Sequence, residues 1–319
     1  MRKGLGFVVG VLLLARSAAS AAQARPIARP DSDGPDGPPV LAEKGHGAET
    51  VDRLGPNADA VAARLRLSAK ELRQRMTDDD SLWLDQTGHA FYVEPVAPTP
   101  IALPAGGPQA AAQFPYSQTF TLHSRPGSNR VLYLDFDGQT VAGTGWNAAG
   151  LVQTAVPPFD ADGNPAVFGL AEQDLIQGVW QRVSDDYAPF DVDVTTQDPG
   201  TAALTQTNAA DLTFGMRALI TSSPTVMTQT CGIPCGGIAY VGGFGAAYYM
   251  PAFIFADALS NNEKWIALQL GSRYLVDVGR NGFGVSGVVE HVVTREPRTD
   301  NDQPSRSQLH GHVDLSAGT

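Results

Sequence analysis

Leu170-Ala-Glu-Gln-Asp-Leu-Ile-Gln-Gly-Val-Trp-Gln-Arg-Val-Ser-Asp-Asp-Tyr187, then Ala188-Pro189, then Phe190-Asp-Val-Asp-Val-Thr195, is the stretch that decides the fold class. Leu175, Ile176, Val179, Trp180, Val183 and Tyr187 recur at helical spacing and form one apolar face, which predicts a helix over 170–187. Ala188-Pro189 stops it, because proline lacks the N–H and disfavours helical geometry in the residue before it. Phe190, Val192 and Val194 then alternate with Asp191, Asp193 and Thr195, the period of a strand with one polar face. On that pattern Asp191 and Asp193 belong to the wet side, as a solvated run rather than a catalytic carboxylate pair.

Outward from this helix–strand unit, Val131-Leu-Tyr-Leu-Asp-Phe136 reads as a strand ended by Asp137-Gly138. Further strands are predicted over 217–221, 237–241 and 252–256. Ser260 and Glu263 have the spacing of a capping box that opens a second helix through Trp265 and Ile266. Strands interleaved with two substantial helices define an α/β (α+β) domain built on a mixed sheet, starting near Phe114.

The segments before it differ in composition. Residues 96–113 are a Pro- and Ala-rich linker. Residues 57–95 form a pro-segment-like subdomain: Val61, Leu65, Leu72 and Met76 suit short amphipathic helices, Ser68 with Glu71 makes a capping box, and Leu82–Leu84 with Phe91–Val93 predicts a hairpin turning at Thr87-Gly88. Residues 25–56, rich in Pro, Gly and Asp, read as a disordered leader with too little apolar surface to fold alone. Residues 1–24 read as a signal peptide: Arg2 and Lys3, an apolar run over 5–15, then small residues at Ala19-Ser-Ala21 and Ala22-Gln-Ala24. That run is too short for a stable membrane span, and an uncleaved anchor is the rival reading. A secreted, extracellular protein is expected.

The 319 residues are 43% apolar and carry a net charge of −11, with a pI of about 4.9. Losing Arg2, Lys3 and Arg16 with the signal segment takes the charge to −14. Such a surface excludes nucleic acid as the expected partner, since phosphate binding needs clustered cations. Export implies an oxidising compartment. The two cysteines, in Cys231-Gly-Ile-Pro-Cys235, accordingly read as one disulfide pinning a glycine-rich turn. The rival, half of a metal site, has no further cysteine and no histidine near it in sequence.

Several runs together resemble a bacterial family of secreted zinc peptidases of the metzincin (reprolysin-like) type. They are Leu134-Asp-Phe-Asp-Gly138, Pro158-Phe-Asp-Ala-Asp-Gly-Asn-Pro165, Val179-Trp-Gln-Arg-Val183, the stretch from Asp185 to Thr196, Gly236-Gly-Ile-Ala-Tyr-Val241, and Phe255-Ala-Asp257 with Asn261-Asn-Glu-Lys264. The likeness covers roughly residues 114–267, and Leu82 to Pro95 fits the family's pro-segment. It implies a twisted mixed sheet with two main helices over 114–284, and hydrolysis of a protein or peptide by a zinc-bound water. The zinc would be held by H-E-x-x-H-x-x-G-x-x-H on the helix after Phe255-Ala-Asp257. That motif is absent. In the nearest register Val276 and Arg280 stand in the histidine positions and Asp277 in the glutamate position. Valine has no donor atom, and a guanidinium stays protonated and repels a cation. Residues 285–319 do not resemble the family and read as a divergent, disordered tail, so the C-terminal subdomain is expected to be incomplete, whether through divergence, truncation or a disrupted frame. The resemblance therefore implies a metallopeptidase-family protein that does not hydrolyse and does not hold the family's zinc. The alternative is an extracellular peptide- or protein-binding module on a peptidase scaffold, taking an extended ligand at a strand edge.

Other residues that bear chemistry have plainer readings. His46, His89 and His123 fall in expected loops and receive no role. His310-Gly-His312 is a weak candidate metal pair in a polar tail. Asp160, Asp162 and Asn164 outline a short calcium loop, but the twelfth position holds Ala171 rather than a glutamate, which favours an Asx-rich turn. Gly242-Gly-Phe-Gly245 reads as a turn that folds Tyr248 and Tyr249 back near a cleft.

Overall fold

The computed structural model describes residues 37–96 and 113–272. In chain order its elements are β1 (Gly45–His46), α1 (Gly47–Leu54), α2 (Ala58–Arg64), α3 (Ala69–Asp78), β2 (Leu82–Leu84), β3 (Ala90–Pro95), β4 (Arg130–Asp135), β5 (Gln139–Thr140), α4 (Gly145–Ala148), β6 (Ala155–Val156), α5 (Leu170–Tyr187), β7 (Asp193–Thr195), α6 (Thr201–Leu204), β8 (Phe214–Thr221), α7 (Pro224–Cys231), β9 (Cys235–Tyr240), β10 (Ala252–Phe255) and α8 (Glu263–Ser272). Eight strands of the described residues form one mixed sheet in the order β1-β2-β3-β9-β10-β8-β4-β7, and β5 pairs with β6 as a separate ribbon. The strands β10, β8, β4 and β7 are parallel, whereas β9, β3, β2 and β1 each join antiparallel to the preceding strand. The domain is α/β (α+β), as its alternation of strands and helices predicts.

Helix α5 spans the predicted residues, and all six residues of its apolar face are buried, with Ile176, Val179 and Val183 fully so. Burying side chains of this size stabilises by about 1.5–3 kcal/mol each. They meet Leu132, Leu134, Val194, Ala218, Ile220 and Ile254 of the sheet together with Ile266 and Leu270 of α8. The second helix has a different cap from the one its sequence spacing predicts. Ser260 and Asn261 both adopt positive φ, closing a tight turn after β10. Asn262 is then the residue whose Oδ1 accepts from Lys264 N and Trp265 N, at 3.0 and 3.3 Å. Glu263 instead pairs with Arg182 of α5.

The opposite layer is aromatic. Phe91, Trp146, Tyr240, Tyr249, Phe253 and Phe255 gather with Leu219, Ile238 and the two cysteines. A third core, entirely N-terminal apart from a partly buried Val241, contains Leu41, Val51, Leu54, Val61, Leu72, Met76, Leu82 and Leu84. This core corrects the expectation of a disordered leader for its described part. Residues 45–54 form β1 and α1, and Leu41, Val51 and Leu54 are buried. Composition misleads here because the apolar surface that covers them comes from α3 and β2, later in the chain. The capping box of Ser68 and Glu71 is present, with Glu71 N on Ser68 Oγ at 3.2 Å and Ser68 N on Glu71 Oε2 at 2.8 Å. The hairpin is also present, but it is no separate layer: β3 continues the main sheet.

The hairpin turn is organised by Asp85, whose Oδ1 accepts from Thr87 N at 2.8 Å and His89 N at 2.9 Å. Gly88 sits at φ +79, and a Cβ there would meet Val61 Cγ2 at 2.6 Å. Gly88→Ala is expected to cost about 2–3 kcal/mol, from left-handed strain plus overpacking. Denaturant unfolding with hydrogen-exchange readout should show protection lost first across residues 40–95.

Candidate functional site

Strand β9 is the candidate site. It begins at the disulfide Cys231–Cys235, which is formed as its sequence context predicts and which ties the end of α7 to the first residue of the strand. Both cysteines are fully buried. Gly236 follows because α8 passes close: a Cβ there would meet Leu259 Cδ2 at 2.8 Å and Gln269 Nε2 at 3.0 Å. Ile238 and Tyr240 then point into the aromatic layer, while Ala239 joins the α5 side. On one side β9 pairs with β10. On the other it takes β3, with Phe91↔Tyr240, Tyr92↔Ala239, Val93↔Ile238, Glu94↔Gly237 and Pro95↔Cys235 in register. An extended segment from a distant part of the chain thus lies against β9 by main-chain pairing, with alternate side chains seated in an apolar layer. This main-chain pairing joins the N-terminal unit to the main sheet.

A cleft of about 400 Å³ between the β5 segment, α6 and the turn before β10 is lined by Thr140, Thr144, Thr205, Arg217, Tyr248 and Pro251, among others. The glycine-rich turn at 242–245 does bring Tyr248 to it and buries Tyr249, as its sequence suggests. Arg217 is 7% exposed and bonds to the fully buried Asp135, with Asp198 Oδ1 at 3.6 Å on its other side. Its guanidinium lies 4.9 Å from the centre of the Tyr133 ring. Two carboxylates already answer this one cation, so Arg217 is a structural strut and not an anion hook. Burial pushes the Asp135 carboxyl up to about 8, against the pull of Arg217.

The expected wet face of the strand after α5 is corrected. Asp191 is exposed, but Asp193 is 5% exposed and fully engaged. His123 Nδ1 approaches its Oδ2 at 2.6 Å, and Arg125 N donates to its Oδ1 at 2.9 Å. The segment before β4 folds over β7, with His123 bridging Thr195, and this covers a face that alternation alone assigns to water. His123 is therefore no idle loop residue. Burial pulls its pKa down, but the bonds to Gln197 and Asp193 and the Asp193 charge outweigh this and leave it above the ordinary histidine value. Both ring nitrogens are taken, by Asp193 and by Gln197 Oε1 at 2.9 Å. His89 is buried, stacked 4.0 Å from Tyr249, and 2.9 Å from Val241 O through Nε2. His46 lies in β1, 4.4 Å from the Trp83 ring.

The Asp160 turn forms as expected: its Oδ1 accepts from Asp162 N, Gly163 N and Asn164 N at 3.1, 2.7 and 3.1 Å. Tertiary structure adds Glu172, one position beyond the residue that a twelve-residue loop would use. Oxygens of Asp160, Asp162 and Glu172 lie within 4.8 Å of one another, the one such group of metal-type donors among the described residues. Glu172 accepts from Ala161 N at 2.8 Å and Gly169 N at 2.9 Å. An all-carboxylate set suits a hard cation and lacks the imidazoles that zinc prefers. It does not fit the zinc that the peptidase resemblance implies. Val276, Asp277 and Arg280, the tail with His310 and His312, and the signal segment lie outside the described residues. Comparison with known protein families, with curated proteins and with solved structures finds no match to this chain.

Arg217→Met is expected to cost about 1–3 kcal/mol at neutral pH, where Asp135 is mainly protonated and loses a hydrogen-bond partner, and more above about pH 8, where the wild type holds a paired carboxylate. The folded-state value of Asp135 lies above its ordinary 3.8, so its contribution to stability is full below about 3.8 and is lost as pH rises through about 8. Without Arg217 that loss deepens. Urea unfolding at pH 9 and pH 6 should therefore show the gap between variant and wild type narrowing on acidification.

Proposed function

We propose that this chain is an exported relative of zinc metallopeptidases that does not hydrolyse its ligand and works instead by binding an extended peptide or protein segment. The observation that carries this reading is the β3–β9 ladder, in which β9 takes an extended partner over five registered pairs. The strand is six residues long, is fixed at its start by a disulfide, and has apolar seats beside it for alternate side chains. The absence of a histidine set from the sequence after Phe255-Ala-Asp257 argues against a zinc-bound water, since Val276 and Arg280 cannot supply lone pairs. The acidic net charge and the signal-like first 24 residues support export and argue against nucleic acid. No helix of the described residues is long and apolar enough to cross a membrane.

Metal analysis and casein digestion test the non-hydrolytic half of this reading. The purified protein is expected to carry zinc well below one equivalent and to show no casein cleavage that a chelator removes. Stoichiometric zinc with chelator-sensitive hydrolysis would overturn it.

A further inference from the structure

Strand β7 ends the main sheet, and the segment before β4 covers its outer side. Thr196 N donates to Leu122 O at 3.1 Å, and Ser124 N to Val194 O at 3.0 Å. Val194 N in turn donates to Ser124 Oγ at 2.9 Å. Further on, Arg125 N donates to Asp193 Oδ1 and Ser128 Oγ to Asp191 O, both at 2.9 Å. Leu122 anchors the start of this cover in the core beside α5. The run His123-Ser-Arg-Pro-Gly-Ser128 buries no residue, so polar bonds alone hold it down. His123 is the one side chain in that run that titrates near neutrality. Its Nδ1 lies 2.6 Å from Asp193 Oδ2, and its Nε2 lies 2.9 Å from Gln197 Oε1. A carboxylate only accepts, and so does a carboxamide oxygen. A ring that serves both must carry a proton on each nitrogen. The other charge on the run is Arg125, whose guanidinium goes to Ala188 O at 3.1 Å and to Asp191 at 3.7 Å.

We propose that residues 123–128 are a proton-operated strap over the edge of β7, closed while His123 carries both ring protons and loosened when one leaves. A neutral ring keeps Nδ1–H for Asp193 but has nothing to give Gln197 Oε1. It also gives up its attraction to a carboxylate that is 5% exposed. Burial works against the charged ring, but the bonds to Gln197 and Asp193 and the Asp193 charge prevail and hold its pKa above the ordinary 6.5. A tie of this sign is whole below about 6.5 and is lost as pH rises through the folded-state value. The strap is therefore firm in acid and loose in alkali. Opening bares Val194 N and O on the outer side of β7, the groups that another strand would pair with. This inference is independent of the peptide-binding reading of β9.

Hydrogen exchange on the full chain between pH 5.5 and pH 9, corrected for the base catalysis of exchange itself, reads the strap directly. Protection of peptides spanning 119–128 and 190–197 should fall about three-fold across that range, a modest change because the ring is part-exposed and its charge is screened. Ring-nitrogen chemical shifts should show His123, identified by the signal missing from His123→Gln, titrating with the same midpoint. His123→Gln should remove the pH dependence. Asp193→Asn keeps an oxygen for Arg125 N but drops the charge, and should move the midpoint to lower pH, which a merely structural histidine would not do. Asp135 also titrates in this range, at about 8, and is still present in His123→Gln. A loss of protection that persists in that variant therefore belongs elsewhere and overturns the proposal. Constant protection while His123 titrates overturns it too, since Gln197 has then turned its NH2 toward the ring. If His123→Gln does not fold, Asp193→Asn decides alone, and an unmoved midpoint sinks the strap.

Discussion

A strand inside a sheet must find partners for its N–H and C=O groups on both sides, and β9 is where that demand shapes the molecule. On one side it closes the parallel strands by running antiparallel to β10. On the other it has no neighbour within residues 113–272 and takes β3 from the N-terminal unit. Unpaired main-chain groups at a buried edge cost as much as lost hydrogen bonds. Joining the two parts of the chain through β3 and β9 therefore follows from the backbone and needs only permissive side chains. The disulfide at the start of β9 and the close passage of α8 over Gly236 hold the strand where that pairing can form.

Around this axis the buried polar groups act as fasteners. Asp135 and Arg217 hold β4 to β8, Asp193 and His123 hold β7 to the segment before β4, and Glu172 ties the start of α5 to the Asp160 turn. Each satisfies a group that would otherwise be buried at a cost of several kcal/mol.

Much of the fold was legible in the sequence, for reasons that stay local. The face Leu175–Tyr187 fixes α5, the Ala-Pro step ends it, and Ser68 with Glu71 caps α3, because those interactions span a turn or two of one element. The cysteine pair was readable from spacing and compartment. The misses share one cause. Asp193 alternates as a wet residue yet is buried by a segment 70 residues earlier in the chain. Leu41, Val51 and Leu54 sit in a Pro- and Gly-rich stretch yet are buried by α3 and β2. Ser260 has the spacing of a cap, but the turn puts it at positive φ and gives the role to Asn262. Glu172 reaches the Asp160 turn because α5 starts there, which no count along the chain reveals.

By itself the sequence determined α3, α5, the hairpin and the main strands, the disulfide, and the absence of H-E-x-x-H after Phe255-Ala-Asp257, since periodicity, capping and motif spacing are properties of neighbouring residues. Only the tertiary structure decided which strand lies beside which, and so that β3 fills the open side of β9. Strand pairing is set by backbone groups that are alike in every residue, and their choice of partner is made by packing across the whole chain.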